Sequence, residues 1–181
     1  TSLICKLADY FHDKDLTIAG AKLTGVAFMQ DPFKMKDAGI STVMDFVDAG
    51  LPSTCGTPGD AIGAACGMIT EINKTNPDLI LAEFGDGIIG EYNVASIITH
   101  PSFKKHIVMT VVAANDLVSA WGAQQKMKEY GIPIDVFTGP VVNSQVGVDF
   151  VEHHFGIPAE SNQYAIPKTI AILEEKMSSL D

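Results

Sequence analysis

Two carboxylates, Glu83 and Asp86, end an apolar run in DLILAEFGDGIIGEYNV, residues 78 to 94. The same stretch spaces Gly85, Gly87 and Gly90 as G-x-G-x-x-G, the pattern of a dinucleotide-binding turn. The two features ask for different chemistry. Glycines would let the backbone approach a pyrophosphate, as in an NAD(P)-binding Rossmann-like domain, with Asp116 as the ribose-binding acid further on. Asp86 inside the turn would repel that pyrophosphate. Carboxylates at a strand end instead suit a hard cation such as Mg²⁺, which takes oxygen ligands. Asp45 and Asp48 end a second apolar run in the same way, Asp31 and Asp37 precede it, and Lys22 lies near the end of a third. Several acids gathered around one lysine repel one another unless a cation or a proton offsets them. On this reading the glycines make the turn, and Glu83, Asp86 and Asp48 supply metal ligands. Plainer roles compete at each position: glycines that only permit positive φ, Asp48 as a turn acid before Ala49 and Gly50, and Lys22 as a solvated strand-end lysine.

The elements that must position these residues alternate between helix and strand. Leu3, Ile4, Leu7, Ala8 and Phe11 share one face of a helix over about 2–13, with Thr1 or Ser2 as N-cap. Strands are expected at 16–23, within 41–50, at 79–84, within 106–116 and within 134–142. Helices are expected at 60–76 with Asp60 as N-cap, at 117–130 stopped by Gly131, at 144–156 ended by Gly156, and at 165–179. The segment 31–40 reads as a loop with a helical turn, and 51–59 as turns. Strands apolar on both faces, alternating with helices, predict an α/β three-layer α/β/α domain with a mainly parallel sheet. Ligands of such sheets sit at the carboxyl ends of the strands, where Lys22, Asp45, Asp48, Glu83, Asp86, Asn115, Asp116 and Asn143 all fall.

Bulk composition narrows the partners. A chain of 181 residues, 46% hydrophobic and 19% charged, is expected to form one domain over 1–181. Twelve basic against 22 acidic residues give −10, which argues against duplex nucleic acid or an anionic membrane as partner. Cys5, Cys55 and Cys66 have no C-x-x-C spacing, so neither a disulfide framework nor a zinc site is favoured. No apolar run reaches membrane-spanning length and no signal peptide is evident, so the cytoplasm is the expected location. Adjacent His153 and His154 point apart on a helix, Ser53 and Thr54 read as turn residues, and Trp121 and Tyr130 as core or interface residues, which leaves room for a homo-oligomer. The chain enters a buried helix directly at Thr1, which suggests the C-terminal part of a longer protein.

AGAKLTG (19–25) followed by DLILAEFGDG (78–87), after a helix opening at Thr1, resembles the P-loop NTPases of the dethiobiotin synthetase-like class. That class also holds the molybdopterin-guanine dinucleotide adaptor proteins and the cobyrinate amidases. The resemblance implies a P-loop NTPase-like fold with Mg²⁺ and ATP or GTP as cofactors. Thr1 would then be the hydroxyl that follows a phosphate-binding loop and would ligate Mg²⁺. Glu83 would be the Walker B-like acid, and Lys22 would meet phosphate or a substrate carboxylate. Asn115 or Asn143 would read the base. The glycines and lysine of the phosphate loop are absent from these residues, Leu23 replaces a common proline, and Phe84 a common glycine. The implied function is Mg²⁺-dependent ATP or GTP hydrolysis coupled to activation of a small carboxylate or cofactor precursor. The other readings are NAD binding at Gly85 and Gly87, and a non-catalytic regulatory or oligomerisation domain of the same ancestry.

Overall fold

The computed structural model describes residues 1–180 and is an α/β protein. Where one domain was expected, the chain divides into two compact units, Thr1–Lys105 and the residues from His106 onward.

The first unit runs α1 (Ser2–His12), β1 (Ile18–Thr24), α2 (Gln30–Asp37), β2 (Thr42–Asp45), α3 (Pro58–Asn73), β3 (Leu79–Phe84), α4 (Val94–Thr99) and α5 (Pro101–Lys104). Its three strands are parallel in the order β2-β1-β3. All seven residues of β1 are buried, as a central strand covered on both faces requires. Ala19, Ala21 and Leu23 face one way and join Phe46, Ala61, Ala65, Met68, Ile72 and Ile97, a core built with α3 and α4. Gly20 faces the other way, toward Met35 of α2 and Ile40. Helices α1 and α2 contact each other and β1, so this unit has three layers, α/β/α. Small residues along β1 and α3 let helix and sheet approach closely.

The second unit holds β4 (Val111–Ala113), α6 (Leu117–Glu129), β5 (Val136–Thr138), a 3-10 turn at Pro140–Val142, α7 (Gln145–Phe155) and α8 (Pro167–Ser178). Strands β4 and β5 are parallel, and Ala159 adds a parallel bridge beside Phe137. Phe137, Val136 and Val151 are fully buried at its centre.

Several expectations need correcting. Residues 30–37 form a helix of two turns where a loop with a single helical turn was expected over 31–40. The runs 106–116 and 134–142 yield only three-residue strands, the second stopped by Gly139 and Pro140. Thr57, not Asp60, caps α3: its hydroxyl accepts the Asp60 N–H. Of the two roles expected for Trp121, core or interface, its 56% exposure excludes the first; with Leu117, Val118, Phe150 and Phe155 it lines an open apolar groove of about 260 Å³. Among the described residues, no helix is long and apolar enough to cross a membrane.

Candidate functional site

Parallel pairing sets three residues abreast at the carboxyl edge of the first sheet. Lys22 of β1 is in register with Asp45 of β2 on one side and Glu83 of β3 on the other. Registered residues of parallel strands share a face, here the face that carries Gly20, toward α1 and α2. Beyond Lys22 the register with β3 slips by one residue, so that Thr24 pairs with Phe84. Such a bulge at a strand end bends the chain and re-aims the next side chains.

The start of α1 and the first turn of α2 complete the cluster. The Thr1 hydroxyl lies 2.6 Å from Asp31 Oδ1 and 2.9 Å from Glu83 Oε1, and the Thr1 amino group donates to Glu83 Oε1 at 2.6 Å. Lys22 Nζ donates to Asp31 Oδ2 at 2.6 Å. Glu83, Thr1, Asp31 and Lys22 thus form one connected chain. Lys22 is 5% exposed, so it is a buried ion-pair partner and not a solvated strand-end lysine.

Two acids in this cluster are held in opposite ways. Burial would raise the Asp31 carboxyl, but hydrogen bonds from Lys22 and Thr1 outweigh it and hold Asp31 below its ordinary value. Burial also acts on Asp45, which is 3% exposed, and there it wins against the Val47 N–H and the Lys22 charge. The Asp45 carboxyl is therefore raised. Its Oδ1 accepts from Val47, while Oδ2 is buried without a partner.

Asp48 has a different position from the one its spacing suggested. Its Oδ2 accepts the Asp45 N–H at 2.9 Å and closes the turn after β2, so Asp45 is the acid that stands beside Lys22. Asp86 has a left-handed backbone, φ 66°, and its carboxylate approaches Gly25. A Cβ at Gly25 would meet Asp86 Oδ2 at 3.0 Å and Lys22 Cε at 3.6 Å, so the two side chains flank that glycine. Gly85 lies against the Thr24 carbonyl, and Gly87 takes φ 90°. Residues 85–93 form bends and turns, and α4 begins only at Val94. The helix that a dinucleotide fingerprint needs directly after its glycines does not open there.

One residue read as a mere turn is a hub. Thr54, 1% exposed, accepts the Gly25 N–H through its hydroxyl at 3.0 Å and donates to the Tyr92 carbonyl at 2.9 Å. Asn93 Nδ2 donates to the Thr54 carbonyl at 2.8 Å. The loops after β1, β2 and β3 are joined through this side chain.

In the second unit, Asn115 and Asn143 follow the carboxyl ends of β4 and β5 and are exposed. The Asn115 N–H donates to Ser119 Oγ, beside a capping box formed by Asp116 and Ser119. Asn143 Oδ1 accepts from Ser161 Oγ at 2.7 Å, and Ser144, not Asn143, caps α7. His153 and His154 each turn a ring nitrogen to a carbonyl four residues back on α7.

Thr1 and Glu83 meet through oxygen atoms alone, a donor pair that suits a hard cation better than zinc, while Asp45, on the far side of Lys22, keeps its one buried carboxylate oxygen without a partner. Among the described residues, no group of three or more His, Cys, Asp or Glu converges to hold a metal by itself. Mg²⁺ is commonly held by one or two carboxylates together with substrate phosphates. Comparison with family models, with curated proteins and with solved structures gave no match.

Proposed function

We propose that the first unit binds a nucleoside triphosphate, ATP or GTP, with Mg²⁺ and uses it to activate a small carboxylate or cofactor precursor. The observation that carries this reading is the row Asp45–Lys22–Glu83 at the carboxyl edge of a parallel sheet, closed by Thr1 and Asp31. Asp31, Asp45, Glu83 and Asp86 outnumber the Lys22 ammonium, so the site gains from a bound cation. Thr1 and Glu83 would hold Mg²⁺ together with the triphosphate, and the ion when bound would offset phosphate charge. Lys22, fixed by Asp31, would face an anionic oxygen of phosphate or substrate. Because its ammonium is already positioned, little reorganisation is needed as charge develops. The lack of a helix opening at Gly85–Gly90 favours this reading over NAD binding.

The test is binding of labelled ATP, GTP and NAD to the full-length natural protein, with and without Mg²⁺, for wild type and Glu83→Gln. A triphosphate should bind only with Mg²⁺, and Glu83→Gln should weaken it by about tenfold or more, near the scale of one charge-assisted contact. Metal-independent NAD binding, or no binding of any of the three, would overturn the proposal.

A further inference from the structure

Helix α6 turns its larger apolar side chains outward. It buries only Ala120 and Met127, while Leu117, Val118 and Trp121 are exposed, Val118 at 77%. On α7, Val146 is exposed to the same degree and stands one turn before Phe150 on the same face. Phe150 and Phe155 line the open apolar groove together with the three side chains of α6. The groove is tied to the core of the second unit. Phe155 lies 6.0 Å from the buried Phe137 ring and edge-on to Phe150 at 5.8 Å, and His154 stacks on Phe150 at 4.1 Å. Its aromatic walls are therefore in place before anything binds.

Charge is missing where this apolar surface is exposed. Residues 117–125, LVSAWGAQQ, contain no Asp, Glu, Lys or Arg, in a chain that is 19% charged and carries −10. The nearest acids are already engaged: Asp116 in the capping box of α6, and Asp149 with the Gln145 amide. Two copies of so acidic a chain repel one another, and an uncharged face is where they can approach. A strongly basic or acidic partner finds no ionic anchor there. Depletion of charge around Trp and Phe is also the composition of an interface core.

The area fits a protein partner. Leu117, Val118, Trp121 and Val146, with the exposed parts of Phe150 and Phe155, present roughly 500 Å² of apolar surface. One side of a standard interface covers ~800 Å², of which about 60% is apolar, so the two areas match. Gly122, one turn beyond Val118, has no atom within 4 Å of the place a Cβ would take. Alanine there would favour the helix by about 1 kcal/mol, and the fold leaves room for it. The bare glycine instead opens the α6 backbone to close approach beside Trp121.

We propose that the chain pairs with a second copy through this face, α6 against α6 about a twofold axis. Val118 of each copy enters the groove beside the other's Trp121. A twofold contact uses one patch twice, so a ridge and a groove on the same face satisfy it without a second surface. The pairing does not depend on what the first unit binds.

Sedimentation equilibrium of the chain should show dimers, with a Kd on the order of micromolar or tighter. Trp121 is the one tryptophan of the 181 residues, so its emission reports burial of this face directly. Val118→Glu changes an exposed position, and circular dichroism should show the fold unaltered. It should stay monomeric, with Trp121 emission to the red of the wild-type dimer. Gly122→Gln, a better helix former, should raise the Kd on the order of tenfold. Phe28→Ser, at an exposed apolar position of the first unit, should associate like wild type. Any of four results would overturn the pairing: a wild type that stays monomeric, association unaltered in Val118→Glu, association lost in Phe28→Ser, or a dimer whose Trp121 emission matches that of the monomer.

Discussion

Lys22 and its neighbours show how one buried charge sets the behaviour of the acids around it. Asp31 gains from the ion pair, so its folded-state pKa lies below the unfolded value. Its stabilisation is present above the ordinary carboxylate range and is lost as pH falls through the lowered value. Asp31→Asn should therefore destabilise the protein near neutrality by roughly 2 kcal/mol, since it leaves a buried ammonium poorly paired. The difference from wild type in thermal or denaturant unfolding should shrink as the pH is lowered past that range. Asp45 has the opposite sign. Its pKa is raised on folding, so ionisation opposes folding as pH rises from the unfolded value through the folded one. Asp45→Asn keeps the bond from Val47 and removes the buried charge, and should stabilise by about 1 kcal/mol at neutral pH. Equal stability of Asp45→Asn and wild type across the pH range would remove the account of Asp45 as a strained buried acid. The sequence displayed every acid involved, and strand-end position singled out Lys22 and Glu83. Asp45 and Asp48 looked equivalent because their separation depends on a turn hydrogen bond. Asp31 joins the site only through contacts with Lys22, nine residues away, and Thr1, thirty away.

Elements that bury a broad apolar stripe were the easiest to read. The helix at Ser2–His12, the strand at Leu79–Phe84 and the helix ended by Gly156 fall within a residue or two of their expected limits, because periodicity and stop residues agree there. Helix α2 was legible only as a helical turn within a loop, because its residues are mostly polar and its buried contribution is only Pro32 and Met35. Strands β4 and β5 are shorter than their apolar runs, since burial needs no ladder and hydrophobicity alone does not mark where pairing stops. Loop organisation was the least legible. The region 24–59 is ordered by long-range bonds converging on Thr54, which no local pattern reveals. Thr54→Val leaves the Gly25 N–H and the Tyr92 carbonyl without that hydroxyl and should destabilise by about 1–3 kcal/mol. Thr54→Ser, which preserves the hydroxyl, should recover most of the loss. Amide exchange at Gly25 should quicken in the valine variant and stay slow in the serine one; equal protection in both would show that packing, not the hydroxyl, holds these loops.

At the scale of the whole molecule, length and hydrophobic content pointed to one domain, whereas the contacts gather into two units with a core each. Chain length constrains domain number only loosely, and neither a proline-rich linker nor a change in composition marks the boundary near Lys105. In the first unit Met68 of α3 belongs to the core cluster built with β1; in the second, Leu173 of α8 is buried. Truncating either to alanine should cost about 2–5 kcal/mol through lost burial and a residual cavity. If each core is stabilised chiefly by its own contacts, Met68→Ala should lower amide protection across Thr1–Lys105 and leave the slow amides of α7 and α8 protected. Leu173→Ala should do the reverse. Local stability follows local packing, so two separate protection groups are the expected pattern of native-state hydrogen exchange. Parallel loss of protection throughout the chain in both variants would instead mean that the two units unfold as one. The two patterns also bear on nucleotide binding. Where the units open independently, a triphosphate held by the first unit alone should protect only Thr1–Lys105.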